Sequence, residues 1–113
     1  MISSDVIRGY SDTIILYLLL SKDSYGYEIS KSIKDISEET YSMKETTLYS
    51  AFNRLAKNGH IDSYYGDETQ GKRRTYYRIT EHGLAYYRDK CQEWVATKDL
   101  VNRFIREEDN GND

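Results

Sequence analysis

Proline is absent from this chain and cysteine occurs once. Its longest apolar stretch, Ile14 to Leu20, is interrupted by Tyr17, well short of the roughly 20 residues a membrane-spanning helix needs. No membrane partner is therefore expected. The lone Cys91 cannot form an internal disulfide, which fits a reducing cytoplasm. The N-terminus lacks the basic start and small-residue cleavage site of a secretory signal, so a cytoplasmic location is expected. Net positive charge is also lacking: 16 Lys and Arg against 19 Asp and Glu leave a net charge of −3. That total is not the footprint of a nucleic-acid binder. Gly-rich phosphate loops and His/Cys ligand spacings are missing too. His60 and His82 have no nucleophile or metal partner nearby in sequence. The expectation is a protein that is not an enzyme and needs neither metal nor cofactor.

Tyrosine, by contrast, is abundant, with twelve against two phenylalanines and one tryptophan among 113 residues. Its ring suits positions that are apolar on one side and wet on the other, so many half-buried or interfacial sites are expected. A chain of this length forms one compact unit with a modest core.

Apolar residues at helical spacing predict a first helix over 5–21, with its second half buried nearly all round. After the break "SKDSYGYEIS", Asp23 or Ser24 is the expected N-cap of a second helix reaching about Ser37. A third helix follows an extended link at 41–43. Its Leu48, Ala51, Phe52 and Leu55 make one buried stripe, and Asn58 and Gly59 are placed for a left-handed C-terminal cap. The β-prone runs 61–65 and 73–79 flank a Gly-containing loop at 66–72 and predict a hairpin. Thr80 then caps a long last helix, with Glu81 in its first turn, running to about Arg106. The polar tail 107–113 is expected to fray. This order is that of an α+β winged helix-turn-helix with a C-terminal extension: 1–79 as the winged-helix unit and 80–106 as an added helix of the same compact body.

Opposite its buried stripe the third helix carries Thr46, Thr47, Tyr49, Ser50, Asn53, Arg54 and Lys57, with Lys44 just before it. Such a face either reads base edges in the major groove or is simply solvated. In the hairpin, Lys72, Arg73, Arg74 and Arg78 fall within seven residues without an acid. They either grip a DNA backbone or protect an edge strand from aggregation. Local clustering offsets the acidic total, because charge effects are screened beyond about 10 Å at 0.1 M salt. Tyr76 and Tyr77 straddle the strand, so one of them belongs to the core.

In the last helix Leu84, Tyr87, Cys91, Trp94, Val101 and Ile105 form a heptad-like seam, with Lys98 in the remaining position. The seam either pairs with a second copy of the chain or packs on the first helix of its own. Trp94 lies in the middle of that seam, where a large residue can fill the interface. Cys91 is placed as a small buried hydrophobe; a redox role would need an exposed thiolate.

Four stretches, "YGYEI" (25–29), "TTLYSAFNRLAKNGHI" (46–61), "GDETQGKRRTYYRITEHG" (66–83) and "CQEW" (91–94), resemble the PadR-like transcriptional regulators. The likeness is to the short subfamily that includes the lactococcal multidrug regulator. It implies a dimeric winged-helix repressor on a roughly palindromic operator in double-stranded DNA, controlling a nearby transporter or membrane-protein gene. By position, it implies that Thr46, Thr47, Tyr49, Ser50 and Asn53 face the groove and that Lys72, Arg73 and Arg74 form the wing. Tyr25 and Tyr27 would approach the backbone. It also implies an alternative role for Trp94, walling a slot for an aromatic inducer at the dimer interface, with Val6, Gly9, Tyr10, Thr13, Cys91, Val95 and Lys98 around it. Lys98 in such a slot disfavours a cationic ligand and points to a neutral or anionic one, unless it snorkels out or pairs with an acid. The competing reading is a winged-helix module that binds another protein through the same helix and wing.

Overall fold

The computed structural model describes residues 2–69 and 72–106; the predicted tail lies outside them. Helical structure begins at Ser3, whose hydroxyl oxygen accepts from the Val6 amide. Helix α1 (Ser4–Ile7), a 3-10 turn (Arg8–Tyr10) and α2 (Ser11–Leu19) replace the single helix expected over 5–21. The interruption falls at Gly9, a weak helix former, where the Ser11 hydroxyl donates to the Arg8 carbonyl at 2.9 Å and competes with the regular ladder. Ile15, Leu16 and Leu19 enter the core, but Tyr17 and Leu20 stay exposed, so this helix is not enclosed all round.

Helix α3 (Gly26–Ile36) starts later than the Asp23 or Ser24 cap predicted for it. Tyr25 holds the cap position in extended conformation, and Ser24–Tyr25 form a short strand, β1. The buried Ser24 hydroxyl donates to the Glu28 carboxylate at 2.6 Å instead of capping a backbone amide. That bond, reinforced by Lys22 at 3.3 Å, holds the Glu28 carboxyl below its ordinary range. After α3 the chain reverses through Glu38 and Glu39, both at positive φ. The Ser37 hydroxyl bonds both backbone groups of Tyr41 across this reversal, and Met43 drops into the core beyond it.

Helix α4 (Glu45–Lys57) buries Leu48, Ala51, Phe52 and Leu55 against Ile15, Leu16, Ile29, Ile33 and Ile61. Its end is a Schellman turn: Gly59 sits at φ +78°, its amide donates to Ala56, and the His60 amide donates to Leu55. Strands β2 (Ile61–Thr69) and β3 (Lys72–Ile79) form the wing and extend further toward its tip than the expected runs, with an irregularity between Tyr65 and Glu68. Strand β1 pairs antiparallel with β3 (Tyr25 opposite Tyr76), which makes a three-stranded sheet in the order β1-β3-β2 where sequence predicts a plain hairpin. Tyr77 is the inward member of its pair. It stacks on Phe52 with ring centroids 3.9 Å apart, and burial raises its phenol pKa above the ordinary value. Tyr76 faces the other way, against Tyr25 and Tyr64.

Thr80 joins the pieces. Its hydroxyl accepts from the Gly83 amide as the N-cap of α5 (Glu81–Asn102) and donates to the Gly59 carbonyl at 2.7 Å, while its own amide donates to the His60 carbonyl. Tyr86 and Tyr87 pack against the core, and the rest of α5 projects beyond it, giving extents of 59 × 28 × 22 Å. The helix ends at Asn102, short of the expected Arg106.

A Cβ on Gly83 would stand 2.0 Å from the His60 carbonyl oxygen, a backbone atom already bonded to Thr80. Gly83→Ala is therefore expected to cost about 3 kcal/mol, as overpacking of a rigid contact does. Thermal denaturation checks this; an unchanged midpoint would mean that the α4 cap and α5 part freely.

Candidate nucleic-acid interface

Because α4 buries one stripe, its remaining residues divide into three groups. Thr46, Ser50, Asn53 and Lys57 point away from the core and are exposed. Tyr49 leans to one side, edge-on to Phe52 at 5.3 Å. Its hydroxyl lies where a side chain on residue 26 would have to go: a Cβ on Gly26 would be 2.4 Å from it. The glycine of "YGYEI" thus makes room for the tyrosine of "TTLYS". Arg54 and the half-buried Thr47 lean to the opposite side.

On the Tyr49 side lies a cleft of about 430 Å³ lined by Tyr25, Gly26, Tyr27, Tyr49, Arg73, Arg74, Thr75 and Tyr77. It brings five of the sequence-predicted contact residues together from β1, α3, α4 and β3. Each wing arginine rests on a tyrosine: Arg74 lies 4.4 Å from the Tyr25 ring centroid and Arg73 lies 4.8 Å from that of Tyr65. Exposed cation–π contacts of this kind contribute about 0.5–1 kcal/mol, enough to orient a guanidinium without committing it. Among the described residues neither arginine forms an ion pair, whereas Arg78 is paired with Asp62 at 3.3 Å. Lys72 opens β3, but its side chain lies outside the described residues.

On the other side of α4 is a cleft of about 450 Å³ bordered by Arg8, Gly9, Asp12, Thr46, Thr47, Ser50, Arg54, Tyr86 and Lys90. Asp12 sits at its base, only 8% exposed. It accepts from two guanidinium nitrogens of Arg54 and from the Tyr86 hydroxyl at 3.3 Å. The Asp12 contact raises the Arg54 pKa above its ordinary value. The Tyr86 phenol is raised as well, by burial first and Asp12 second. Tyr86 also stacks on His60, just past the end of α4, at 4.1 Å. Arg54, although its side chain is half exposed, is therefore turned toward Asp12 and does not project straight outward with Ser50 and Asn53, as its place in the sequence predicts. Lys44 occupies the N-cap position of α4, where it lines a smaller cleft with Ser4, Arg8, Thr46 and Thr47.

The residues predicted around a ligand are divided within one chain. Tyr10 and Trp94 meet edge to face at 5.3 Å, with Val6, Val95 and Lys98 exposed nearby. Of that set Thr13 lines an apolar cavity of about 360 Å³ between Ile7, Ile14, Tyr17, Ile33, Ile36 and Tyr87. Gly9 borders the Asp12 cleft. Within the predicted dimer seam, Leu84 is half-buried, and Tyr87 packs on its own core, with its phenol pushed up to about 12 by burial and by its bond to the half-buried Cys91. Trp94, Val101 and Ile105 are exposed. The sequence reading did not single out Arg8, Asp12, Tyr86 or Lys90. Asp12 leaves a trace, since an acid opening the otherwise apolar run "DTIILYLLL" has to find a partner once that run is buried.

The pattern of the transcriptional regulator PadR-like family matches residues 15–89. The chain is 64% identical to a transcriptional regulator from Clostridium thermocellum, with a TM-score of 0.87 over 94% of this chain and 100% of that one. A PadR family transcription regulator from Clostridium difficile is 38% identical, with a TM-score of 0.74 over 87% of this chain and 100% of that one. An uncharacterised protein of Lysinibacillus sphaericus is 47% identical over 105 residues, which cover 93% of this chain and 96% of its own. The chain belongs to the PadR-like family: it is a winged-helix transcriptional regulator and not an enzyme.

Arg54→Ala would strip the nearly buried Asp12 carboxylate of its main partner. A loss of about 2 kcal/mol is expected, in the range of hydrogen bonds to charged groups and below that of a fully buried pair, because the Arg54 side chain is 49% exposed. A double-mutant cycle with Asp12→Asn, read by urea denaturation, should show the double variant less destabilised than the sum of the singles. Strict additivity would mean that the pair carries no coupling.

Proposed function

We propose that this PadR-like regulator acts as a homodimer that reads a roughly palindromic operator in double-stranded DNA and represses a nearby transporter or membrane-protein gene. The convergence of Tyr25, Tyr27, Tyr49, Arg73 and Arg74 on one cleft beside the outward face of α4 carries this reading. A helix in the major groove presents short polar groups to base edges, and Thr46, Ser50 and Asn53 are such groups on the exposed face. The adjacent backbone then meets the wing, where Arg73 and Arg74 hold unpaired charge among the described residues and Lys72 adds a third cation by sequence. The net charge of −3 weighs only mildly against this, because phosphate attraction acts locally.

The homodimer is supported by the apolar side chains that the far half of α5 and the residues after it leave in solvent. Trp94, Val95, Leu100, Val101, Phe104 and Ile105 are all exposed in the single chain, and monomers seldom carry so long an apolar run. In this reading 1–79 is the DNA-reading unit and 80–106 the dimerisation helix, with a two-fold axis placing two α4 helices on successive half-sites. Trp94 and its symmetry mate would then wall a slot for an aromatic inducer, which Lys98 favours as neutral or anionic. A protein-binding winged helix is the competing reading, and the acidic total charge favours it.

Fluorescence anisotropy on a labelled duplex from upstream of the gene separates the two, with a scrambled duplex as control. Tight binding that prefers the native duplex and weakens steeply with salt is expected. Arg73→Ala with Arg74→Ala should nearly abolish it and leave the oligomeric state intact; affinity that survives in this variant would remove the wing from the interface. Val101→Asp with Ile105→Asp should give monomers in sedimentation velocity, and an intact dimer would place the contact elsewhere.

A further inference from the structure

We propose that Arg8 is a DNA-backbone contact on the side of the recognition helix away from the wing, so that α4 is gripped from both sides. The inference rests on the DNA-reading function above and adds a residue to it. A helix lying in a groove about 12 Å wide is bordered by two phosphate strands, one on each side. The wing cleft supplies cations to one of them. On the other side, Arg8 borders both the Asp12 cleft and the smaller cleft at the start of α4, where it shares the rim with Lys44, Thr46 and Thr47.

Lys44, which forms no ion pair among the described residues, is already an expected contact, and of the remaining cations on this side Arg8 is the least committed. Asp12 is neutralised by Arg54, so the carboxylate at the cleft base does not repel a phosphate. Lys90 is held by Glu93 at 2.9 Å and lies over the Tyr86 ring. The partner of Arg8 is Asp5, one turn earlier at 3.1 Å, with side chains 65% and 87% exposed. Such a surface pair contributes about 1 kcal/mol or less, so a phosphate can displace it at little cost. The 3-10 turn at Arg8–Tyr10 is anchored by the Ser11 hydroxyl on the Arg8 carbonyl, which fixes the backbone from which the guanidinium extends.

The experiment is anisotropy on the native and scrambled duplexes over a salt series, with Arg8→Ala, Arg8→Lys and Arg88→Ala. Arg88 is exposed on α5, borders neither cleft, and its removal changes the net charge equally. Arg8→Ala should weaken both duplexes several-fold and by a similar factor, because phosphate contacts carry no sequence information. Its slope of log K against log salt should be shallower by about 0.9 per lost contact, hence about 1.8 for a dimer. Arg8→Lys should retain most of the slope, and Arg88→Ala all of it. A wild-type slope in Arg8→Ala, while the Arg73/Arg74 variant loses binding, overturns the role of Arg8 and leaves the wider reading standing. A wild-type protein without salt-dependent DNA binding overturns both.

Discussion

Everything in this molecule is hung on one buried stripe of α4. Leu48, Ala51, Phe52 and Leu55 are the side of that helix the core holds, and all four are 2% exposed or less. Burying a large apolar side chain stabilises by about 1.5–3 kcal/mol, more than any exposed ion pair or cation–π contact here. The core therefore decides how α4 is rotated, and the polar contacts only tune what its rotation presents. The stack of Phe52 on Tyr77 carries the same constraint into the wing. Gly59 and Thr80 carry it into α5 at the other end of α4. A helix seated in this way has its polar residues placed by default.

Charge is organised by subtraction. Several cations of this acidic chain are matched by its own carboxylates: Arg54 by Asp12, Arg78 by Asp62 and Lys90 by Glu93. Among the described residues Arg73 and Arg74 rest on aromatic rings and form no ion pair. The tyrosine-rich composition follows from this arrangement, since a tyrosine can bury one ring face and support a cation with the other. Tyr86 extends the principle into the interior, where it stacks on His60, bonds Asp12 and lies under Lys90. Through it α5 touches both the Arg54 anchor and the end of α4.

Much of this was legible in the sequence, and what was not has a common cause. The stripe of α4, the Gly59 cap, the Thr80 cap and the wing all follow from local spacing and turn chemistry. The short strand at Ser24–Tyr25 does not, because two residues carry no period, and only pairing with β3 makes them a strand. The break at Gly9 was hidden by apolar spacing that runs straight through it. Arg54 looked outward on a helical wheel, and a partner 42 residues away in sequence turned it aside. The single long seam on α5 also conceals two environments, since Tyr87 serves its own core while Trp94, Val101 and Ile105 remain uncovered. Local pattern reports which residues are apolar or charged, and it cannot report which distant residue claims them.

The central claim is that the outward face of α4 and the wing act on one duplex together. Heteronuclear NMR of the protein titrated with an operator duplex tests it most directly, because Asn53 carries a side-chain amide and Arg73 and Arg74 carry guanidinium N–H groups. Those three signals should move over the same concentration range, together with backbone amides of Thr46 and Ser50. Shifts confined to the wing, or to the exposed far half of α5, would contradict the account.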